Sequence, residues 1–327
     1  MTVKGLKKVT LQVDDLISGL ANKGVKTHYI AKLVNELHRK LQDKLWQILD
    51  TDNQFVDATY IVMGSEGRAE QVIRTDQDNA VIYADHIDEE ALANFSQIYS
   101  NKLVELGFPP CPGHIMVSNP IWRMSKSKFE QQIVKWFENP SLEHFMSLAI
   151  LFDAQAVYGN EGRLTRIKSV LLKQVAKRQM FLQHFARSIL QFETPIGLFG
   201  RLITEKDEGH SIDLKKGGIF PIIHGVRCLA LEKGIEKTNT HWRIRELITQ
   251  HVFEEDFGIE LGETLNFLNT LRLQTMLDKK RNGQEVDNSI ETDHLSHFQQ
   301  DLLKDAFGVV NKFKKFIERH FKMEGTL

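Results

Sequence analysis

The segment between residues 59 and 83 constrains the fold more than any other part of the chain. Residues 59–63 are β-branched, aromatic or apolar and stop at Gly64, and residues 75–83 end in a second apolar run, Ala80 to Tyr83. β-branched and aromatic residues favour strands, and glycine allows the sharp turn between them. We therefore predict a strand, a turn with a short helix over residues 66–74, and a second strand.

Apolar residues outside this segment mostly recur at three- and four-residue steps, which is typical of amphipathic helices. A packing helix is predicted from residue 27 to 49, and another strand at residues 114–117. Further helices are predicted at residues 141–157, 163–192, 215–233, 257–279 and 291–322. The expected fold class is α+β, a small mixed-sheet domain followed by a helical bundle domain. We place an N-terminal helical segment at 1–54 and the two domains at 55–160 and 161–327.

The turn and the acids after it carry the residue types needed to bind a nucleotide. Ser65 and the next amides lie at a predicted helix N-terminus, where free N–H groups suit a phosphate. Asp76 and Asp78 are two apart on a predicted strand, so their side chains point to one face. Two adjacent carboxylates repel unless a cation lies between them, and Mg²⁺ binds carboxylates together with phosphates and water. The segment thus predicts a triphosphate site with one or two metal ions.

Other interpretations stay open on these residues alone. A Gly-Ser pair and an Asp-x-Asp are each common, and together they also describe an ordinary loop with a polar turn. Arg68 lies in the first turn after Ser65 and is either a phosphate ligand or a solvated helix arginine. Lys215 and Lys216 precede two glycines and are either a phosphate-contacting pair or the exposed start of a helix.

The overall charge, the apolar runs and the cysteines exclude several classes of protein. Lys plus Arg total 42 against 43 for Asp plus Glu, so no broad basic surface for long nucleic acid is expected. No signal peptide or apolar run of bilayer length is found, which predicts a cytoplasmic protein without a membrane segment. The two cysteines have no metal-ligand spacing and are expected to be free thiols.

Longer strings of the sequence resemble a known family. GSEGRAEQVIRTDQDNAVIY, at residues 64–83, resembles nucleotidyltransferases of the DNA polymerase β-like superfamily that are related to the N-terminal region of bacterial PII-protein uridylyltransferase. The resemblance continues through residues 109–113, 116–122 and 152–159. Residues 212–219 and 238–240 resemble the family's helical substrate-binding domain. The CBS and cyclic-nucleotide-binding domains often fused to such proteins are not expected in this chain.

The resemblance implies roles for individual residues. Gly64, Ser65, Gly67 and Arg68 would form the nucleotide-binding turn, to which the basic pair Lys215 and Lys216 would contribute from the helical domain. The catalytic carboxylates would be Asp76, Asp78 and Asp153, of which Asp76 and Asp78 would bind Mg²⁺ or Mn²⁺. The chain departs from the pattern in two ways, since residues 114–117 offer no acid and Gln155 stands where an arginine is usual.

These observations lead to a functional hypothesis with one alternative. The chain is expected to be a uridylyltransferase- or adenylyltransferase-like enzyme that moves UMP or AMP from UTP or ATP to a hydroxyl. The acceptor would be a protein or a small molecule, and pyrophosphate would be released. The alternative is a non-catalytic nucleotide-binding module for signal transduction or regulation, which the missing acid and Gln155 favour.

Overall fold

The computed structural model describes residues 2–178, 180–187, 192–197, 201–203 and 211–323. The chain divides into two compact units, one that ends at Ala176 and one that begins at Lys177. The N-terminal helices and the helix after residue 160 belong to the first unit, whereas the sequence pattern places boundaries at residues 54 and 160. The expected fold class, a small mixed sheet followed by a helical region, is confirmed.

The first unit contains a four-stranded sheet and helices on both of its faces. Its elements are α1 (Val3–Asn22), α2 (Thr27–Leu49), β1 (Ala58–Val62), α3 (Gly64–Gly67), β2 (Asn79–Tyr83), α4 (Glu89–Glu105), β3 (Arg123–Ser125), α5 (Lys126–Glu138), α6 (Leu142–Phe152), β4 (Gln155–Tyr158) and α7 (Glu161–Ala176). The strand order is β3-β2-β1-β4. The pairs β1–β2 and β1–β4 are antiparallel, and β2–β3 is parallel, so the sheet is mixed.

The core of this unit follows from the alternation of side chains along the strands. Ala58, Tyr60 and Val62 of β1 share a buried cluster with residues of α2 and α4. The Trp46 ring lies at its centre, with ring centroids 5.7 Å from Tyr60 and 4.7 Å from Phe95. Helices α5 and α7 contact β2, and α7 also contacts β1. Because successive strand residues point to opposite faces, α5 and α7 cover the second face.

Four local predictions near the sheet are corrected by the structure. Residues 114–117 form a loop, and β3 is the strand that pairs with β2. The loop lies against the start of β2, where Asn79 N donates to Ile115 O at 3.0 Å and Asn79 Oδ1 accepts from Val117 N at 2.9 Å, but it forms no strand. The helix predicted over residues 66–74 ends at Gly67, because Ala69 adopts a left-handed φ of 56°. The strand predicted from residue 75 begins at Asn79. The helix predicted over residues 141–157 ends at Phe152, and its last three residues lie in β4.

The second unit is built mainly of helices. Its described elements are α8 (Phe181–Ala186), β5 (Ser211–Asp213), a π-helical segment (Lys215–Ile219), α9 (Phe220–Glu232), α10 (Thr240–Thr249), α11 (Glu255–Arg281), β6 (Ser289–Glu291) and α12 (His297–His320). Residues 221–231 of α9 are all buried, as expected of a helix that is apolar on most sides. The β5–β6 pair was not predicted, since three-residue strands leave too little alternation to recognise. Part of the helix predicted over residues 163–192 lies outside the described residues.

Among the described residues, no helix combines the length and the apolar character needed to span a membrane.

Candidate functional site

The pairing of the strands brings three separate parts of the chain together at one end of the sheet. Val62, the last residue of β1, pairs with Asn79 at the start of β2 and with Gln155 at the start of β4. The turn that follows β1 therefore lies beside the residues that precede β2 and β4. These are the segments that carry Gly64 and Ser65, the two aspartates of the Asp-x-Asp, and Asp153.

Gly64 and Asp78 are in direct contact. Gly64 has a φ of 55°, a left-handed conformation that other residues rarely adopt. A Cβ atom at this position would lie 2.2 Å from Asp78 Oδ2. The backbone also links the two segments, because Met63 N donates to Asp78 O at 2.8 Å. The glycine thus lets the Asp78 carboxylate lie against the backbone of the turn.

Asp76 and Asp78 precede β2 in extended chain and are both partly exposed. Gln77 between them is buried, and its Nε2 donates to Phe108 O at 3.2 Å. The two aspartates therefore lie on the face opposite Gln77. Gln71 Nε2 donates to Asp76 Oδ1 at 3.0 Å, which orients that carboxylate. Both carboxylates raise the pKa of the same neighbour, Glu66, so both lie near the turn.

Ser65 is the second residue of α3 and is partly exposed beside Asp78. Its carbonyl oxygen accepts from Glu70 N at 2.9 Å and from Gln71 N at 3.2 Å, and these bonds close the turn. The first amides of any helix lack acceptors within that helix. The hydroxyl and amide groups here are thus suited to bind an anion.

Glu66 is a residue of this region that the sequence analysis missed. Its side chain is buried, and Gln42 Nε2 donates to Glu66 Oε1 at 2.5 Å. Burial raises the pKa of Glu66 to about 8, and repulsion from Asp78 and Asp76 adds to this shift. A glutamate in a short helix gives no sequence signal for burial, because its partner lies 24 residues earlier in the chain.

Arg68 and Asp153 are joined in a buried ion pair. Arg68 Nη1 lies 2.8 Å from Asp153 Oδ2, and Arg68 Nε lies 2.7 Å from Glu70 Oε2. Burial lowers the pKa of Arg68, but the two carboxylates more than offset this and raise the pKa above its usual value. The predicted phosphate ligand and the predicted third catalytic carboxylate are therefore bound to each other in this structure. Their proposed functional roles stay predictions.

Gly67 is required by packing. A Cβ atom here would lie 2.3 Å from the carbonyl oxygen of Asp153 and 2.9 Å from that of Val62. The glycine thus allows the turn to approach the ends of β1 and α6 closely. This contact gives a structural reason for a residue that the sequence analysis assigned to nucleotide binding.

Cys111 also contacts Asp78. Burial raises the pKa of the Cys111 thiol to about 12, and the nearby Asp78 carboxylate, with which the thiol forms a hydrogen bond, contributes to the shift. The thiol therefore stays protonated and donates to the carboxylate. Sequence spacing gave no hint of this contact, because it depends on how residues 109–117 fold beside β2.

The carboxylates suit a metal ion that is partly coordinated by a substrate. Within the described parts of the chain, no cluster of three or more His, Cys, Asp or Glu side chains could bind a metal ion by itself. Mg²⁺ commonly takes one or two carboxylates and completes its coordination with phosphate oxygens and water. The Asp76 and Asp78 pair fits such an ion.

Lys215 and Lys216 lie in the second unit, in the π-helical segment. The Lys216 side chain is 73% exposed, with Nζ 3.7 Å from Asp213 Oδ2. Gly217 and Gly218 after them are packing residues, since a Cβ atom would lie 2.6 Å from Pro195 Cδ or 2.8 Å from Leu268 Cδ1. The structure thus explains the two glycines, while the role of the lysine pair in nucleotide binding stays a prediction.

Comparison with protein families gives two matches. Residues 11–143 match the family described as "Putative nucleotidyltransferase DUF294". Residues 179–321 match the family described as "Putative nucleotidyltransferase substrate binding domain". No curated protein matched the chain in a sequence search. The chain thus joins a region similar to this nucleotidyltransferase family, which includes Gly64, Ser65, Asp76 and Asp78, to a region similar to the corresponding substrate-binding domain.

Proposed function

We propose that the chain is a metal-dependent nucleotidyltransferase that moves a nucleoside monophosphate from a nucleoside triphosphate to a hydroxyl group. The observation that carries the proposal is the contact between the Gly64 turn and Asp78, with Asp76 on the same face. A phosphate-binding turn next to two carboxylates is what a triphosphate with a bound divalent cation requires. The match of residues 11–143 to a nucleotidyltransferase family supports the same reaction class.

The residues of the turn would bind the substrate. The hydroxyl of Ser65 and the amides of Ser65 and Glu66 would donate to the β and γ phosphates, and Gly64 would let them approach the Asp78 carboxylate. Asp76 and Asp78 would bind Mg²⁺ or Mn²⁺ together with phosphate oxygens. The bound ion would neutralise charge on the α-phosphate and on the leaving pyrophosphate.

The reaction is a substitution at the α-phosphorus. A new bond forms between the acceptor oxygen and this phosphorus, the bond to pyrophosphate breaks, and the hydroxyl proton is released. The protein would contribute by positioning and by charge stabilisation, since none of its own bonds changes. We propose ATP or UTP as the donor, and a hydroxyl of a protein or a small molecule as the acceptor. Both assignments follow the resemblance to uridylyltransferases.

Release of pyrophosphate from each nucleoside triphosphate tests the proposal. The wild-type protein should release pyrophosphate with Mg²⁺ or Mn²⁺ when an acceptor is present in a cell lysate. Asp78→Asn should lower the rate by roughly 100-fold or more, because it removes charge that stabilises the transition state. Asp52→Asn is the matched control, since Asp52 is exposed in the loop after α2. Equal rates for Asp78→Asn and Asp52→Asn would reject the assignment.

The ion pair between Arg68 and Asp153 favours a second candidate function. Asp153 is fully buried and bound to a cation, so it is not available as a third metal ligand in this conformation. A chain with two functional carboxylates would bind a nucleotide and Mg²⁺ without transfer, and would then act as a regulatory module. Calorimetry that finds nucleotide binding in a protein without pyrophosphate release would support this candidate.

A further inference from the structure

Helix α2 carries a row of buried or partly buried polar residues where an amphipathic helix normally has apolar ones. Asn35, Arg39 and Gln42 follow one another at steps of four and three residues, so they lie on one face of the helix. Asn35 and Gln42 are 2% and 1% exposed. Buried polar groups are retained only when they are hydrogen-bonded. Their partners therefore indicate what this face does.

The partners of this face lie at the end of the sheet where the candidate site is. Asn35 Nδ2 donates to Glu66 O at 2.8 Å, and Gln42 Nε2 donates to Glu66 Oε1 at 2.5 Å. Arg39 Nη1 donates to Gln155 Oε1 at 2.8 Å, at the start of β4. Helix α2 thus binds both the turn after β1 and the strand beside it.

The orientation of the Gln42 amide is fixed on both sides. Its Nε2 donates to Glu66, and its Oε1 accepts from Tyr60 Oη at 2.9 Å. Tyr99 Oη donates to the backbone carbonyl oxygen of Gln42 at 3.0 Å, which connects the network to α4. An amide with both ends satisfied has one favourable orientation. The network is therefore a rigid connection between α2 and the turn.

We propose that Glu66 and Gln42 are positioning residues for the transfer step, because their hydrogen bond anchors the turn that carries Ser65 to α2. Helix α3 has only four residues, and helices this short are not stable by themselves. The tertiary contacts of Glu66 must therefore set where Ser65 and its neighbouring amides lie relative to Asp78. This inference rests on the proposed function and assigns it a pair of residues whose side chains do not touch the substrate.

The chemistry of Glu66 suits this role. Burial raises its pKa to about 8, so the side chain is mostly protonated at pH 7. A neutral carboxyl keeps its hydrogen bond to Gln42 without adding a third negative charge beside Asp76 and Asp78. Glutamine has the same shape and is neutral at every pH, so Glu66→Gln should preserve the position of the turn.

Four variants of the full chain test the inference. Glu66→Leu and Gln42→Leu remove the hydrogen bond, and Glu66→Gln keeps an acceptor for Gln42. Leu45→Ala is the matched control, because it removes buried apolar contacts from the same helix but no hydrogen bond of the network. Two quantities are measured on folded protein, namely kcat and KM for pyrophosphate release, and the hydrogen-exchange rates of the amides of residues 64–68.

Both leucine variants should lower kcat by at least about tenfold with a smaller change in KM, because the reacting groups are misplaced. They should also speed amide exchange in residues 64–68. Glu66→Gln should stay close to wild type in both measurements, and Leu45→Ala should leave exchange at the turn unchanged.

The outcomes separate this inference from the proposed function. If the wild type releases pyrophosphate and the leucine variants match it, the inference is wrong while the proposed function stands. Unchanged exchange in residues 64–68 of the leucine variants also overturns the inference, whatever the activity. If the wild type releases no pyrophosphate, the proposed transfer step fails and the positioning role in transfer fails with it. Faster exchange in the leucine variants would then show only that the network anchors the turn.

Discussion

At the scale of single residues, the candidate site depends on close contacts that particular side chains allow or prevent. Gly64 has no side chain, so the Asp78 carboxylate can lie where a Cβ atom would otherwise be. The Glu66 side chain is buried and accepts a hydrogen bond from Gln42 of α2. Arg68 is bound by Asp153 and Glu70, which fixes the chain just after the turn. These residues lie within five positions of one another in the chain, yet each has a different physical role.

Gly64→Ala should reduce transfer by at least about tenfold, because the new methyl group would displace the Asp78 carboxylate. The left-handed φ of 55° adds strain of about 1–3 kcal/mol. Gly24→Ala separates the backbone strain from the displacement of a neighbour. Gly24 also has a left-handed φ, of 72°, but its added methyl group would have no neighbouring atom within 4 Å. Urea unfolding should show that Gly24→Ala is less stable than wild type, and pyrophosphate release should show that its activity is unchanged. A Gly64→Ala variant with wild-type kcat would contradict the contact.

Glu66 should make the free energy of unfolding depend on pH. The pKa of Glu66 is about 8 in the folded chain, compared with 4.5 as the ordinary value. Ionisation of the unfolded chain therefore destabilises the protein progressively as the pH rises from about 4.5 to 8. Glu66→Gln has no such ionisation, so it should gain stability relative to wild type over this range, by at most about 5 kcal/mol.

Urea unfolding of both proteins at intervals from pH 4.5 to pH 8 measures this difference. Glu36→Gln is the control, because Glu36 is exposed on α2, the helix that carries the Gln42 partner of Glu66, and should show no comparable trend. A constant difference between Glu66→Gln and wild type at all pH values would mean that Glu66 ionises normally in the folded chain.

At the scale of helices and strands, the N-terminal helices are part of the structure that supports the site. Arg74, four residues before Asp78, donates from Nη2 to both oxygens of Asp14 in α1 at 2.8 Å. Its Nε donates to Gly107 O at 3.0 Å, and its guanidinium lies over the Phe108 ring. The segment before β2 is thereby connected to α1 and to the end of α4.

Asp14→Asn should lower the free energy of unfolding by about 1–3 kcal/mol, because Arg74 loses charge-assisted hydrogen bonds in a largely buried place. Asp15→Asn is the matched control, since Asp15 is exposed on the next position of the same helix. Urea unfolding measures both variants. If they unfold at the same urea concentration, the contact with Arg74 contributes nothing measurable to stability.

At the scale of the whole molecule, two compact units correspond to two family matches. The first unit includes the matched residues 11–143, and the second includes residues 179–321. The turn and both aspartates lie in the first unit, and Lys215 with Lys216 lies in the second. That this lysine pair contacts the nucleotide is a prediction from the sequence.

The double variant Lys215→Ala/Lys216→Ala tests that contact. If the lysines bind the triphosphate, KM for the nucleotide should rise by roughly tenfold while kcat changes less, because uniform binding is lost. Stability should change by less than about 0.5 kcal/mol, because Lys216 is exposed. Lys7→Ala/Lys8→Ala is the control pair, because both lysines are exposed on α1. An unchanged KM would mean that Lys215 and Lys216 do not bind the nucleotide.

Much of this architecture was predictable because it depends on local patterns. The apolar runs before Gly64 and after Asn79 predicted two strands. Because the aspartates come just before the second strand, they were expected to lie beside the turn that follows the first. The spacing of Asp76 and Asp78 put both on one face, since side chains alternate in extended chain. Helix α2 was predicted from its apolar stripe, but its buried polar face was not. A polar residue on a helix is usually exposed, and only its partners show otherwise.

The sequence by itself determined the fold class, the two strands on either side of the glycine turn and the pair of carboxylates that follows the turn. Only the tertiary structure decided that Arg68 pairs with Asp153, 85 residues later, and that Glu66 is buried against α2. The physical reason is the range of the interactions. Periodicity and turn propensity act between neighbours in the chain, whereas ion pairing and desolvation depend on which distant groups the folded chain brings together.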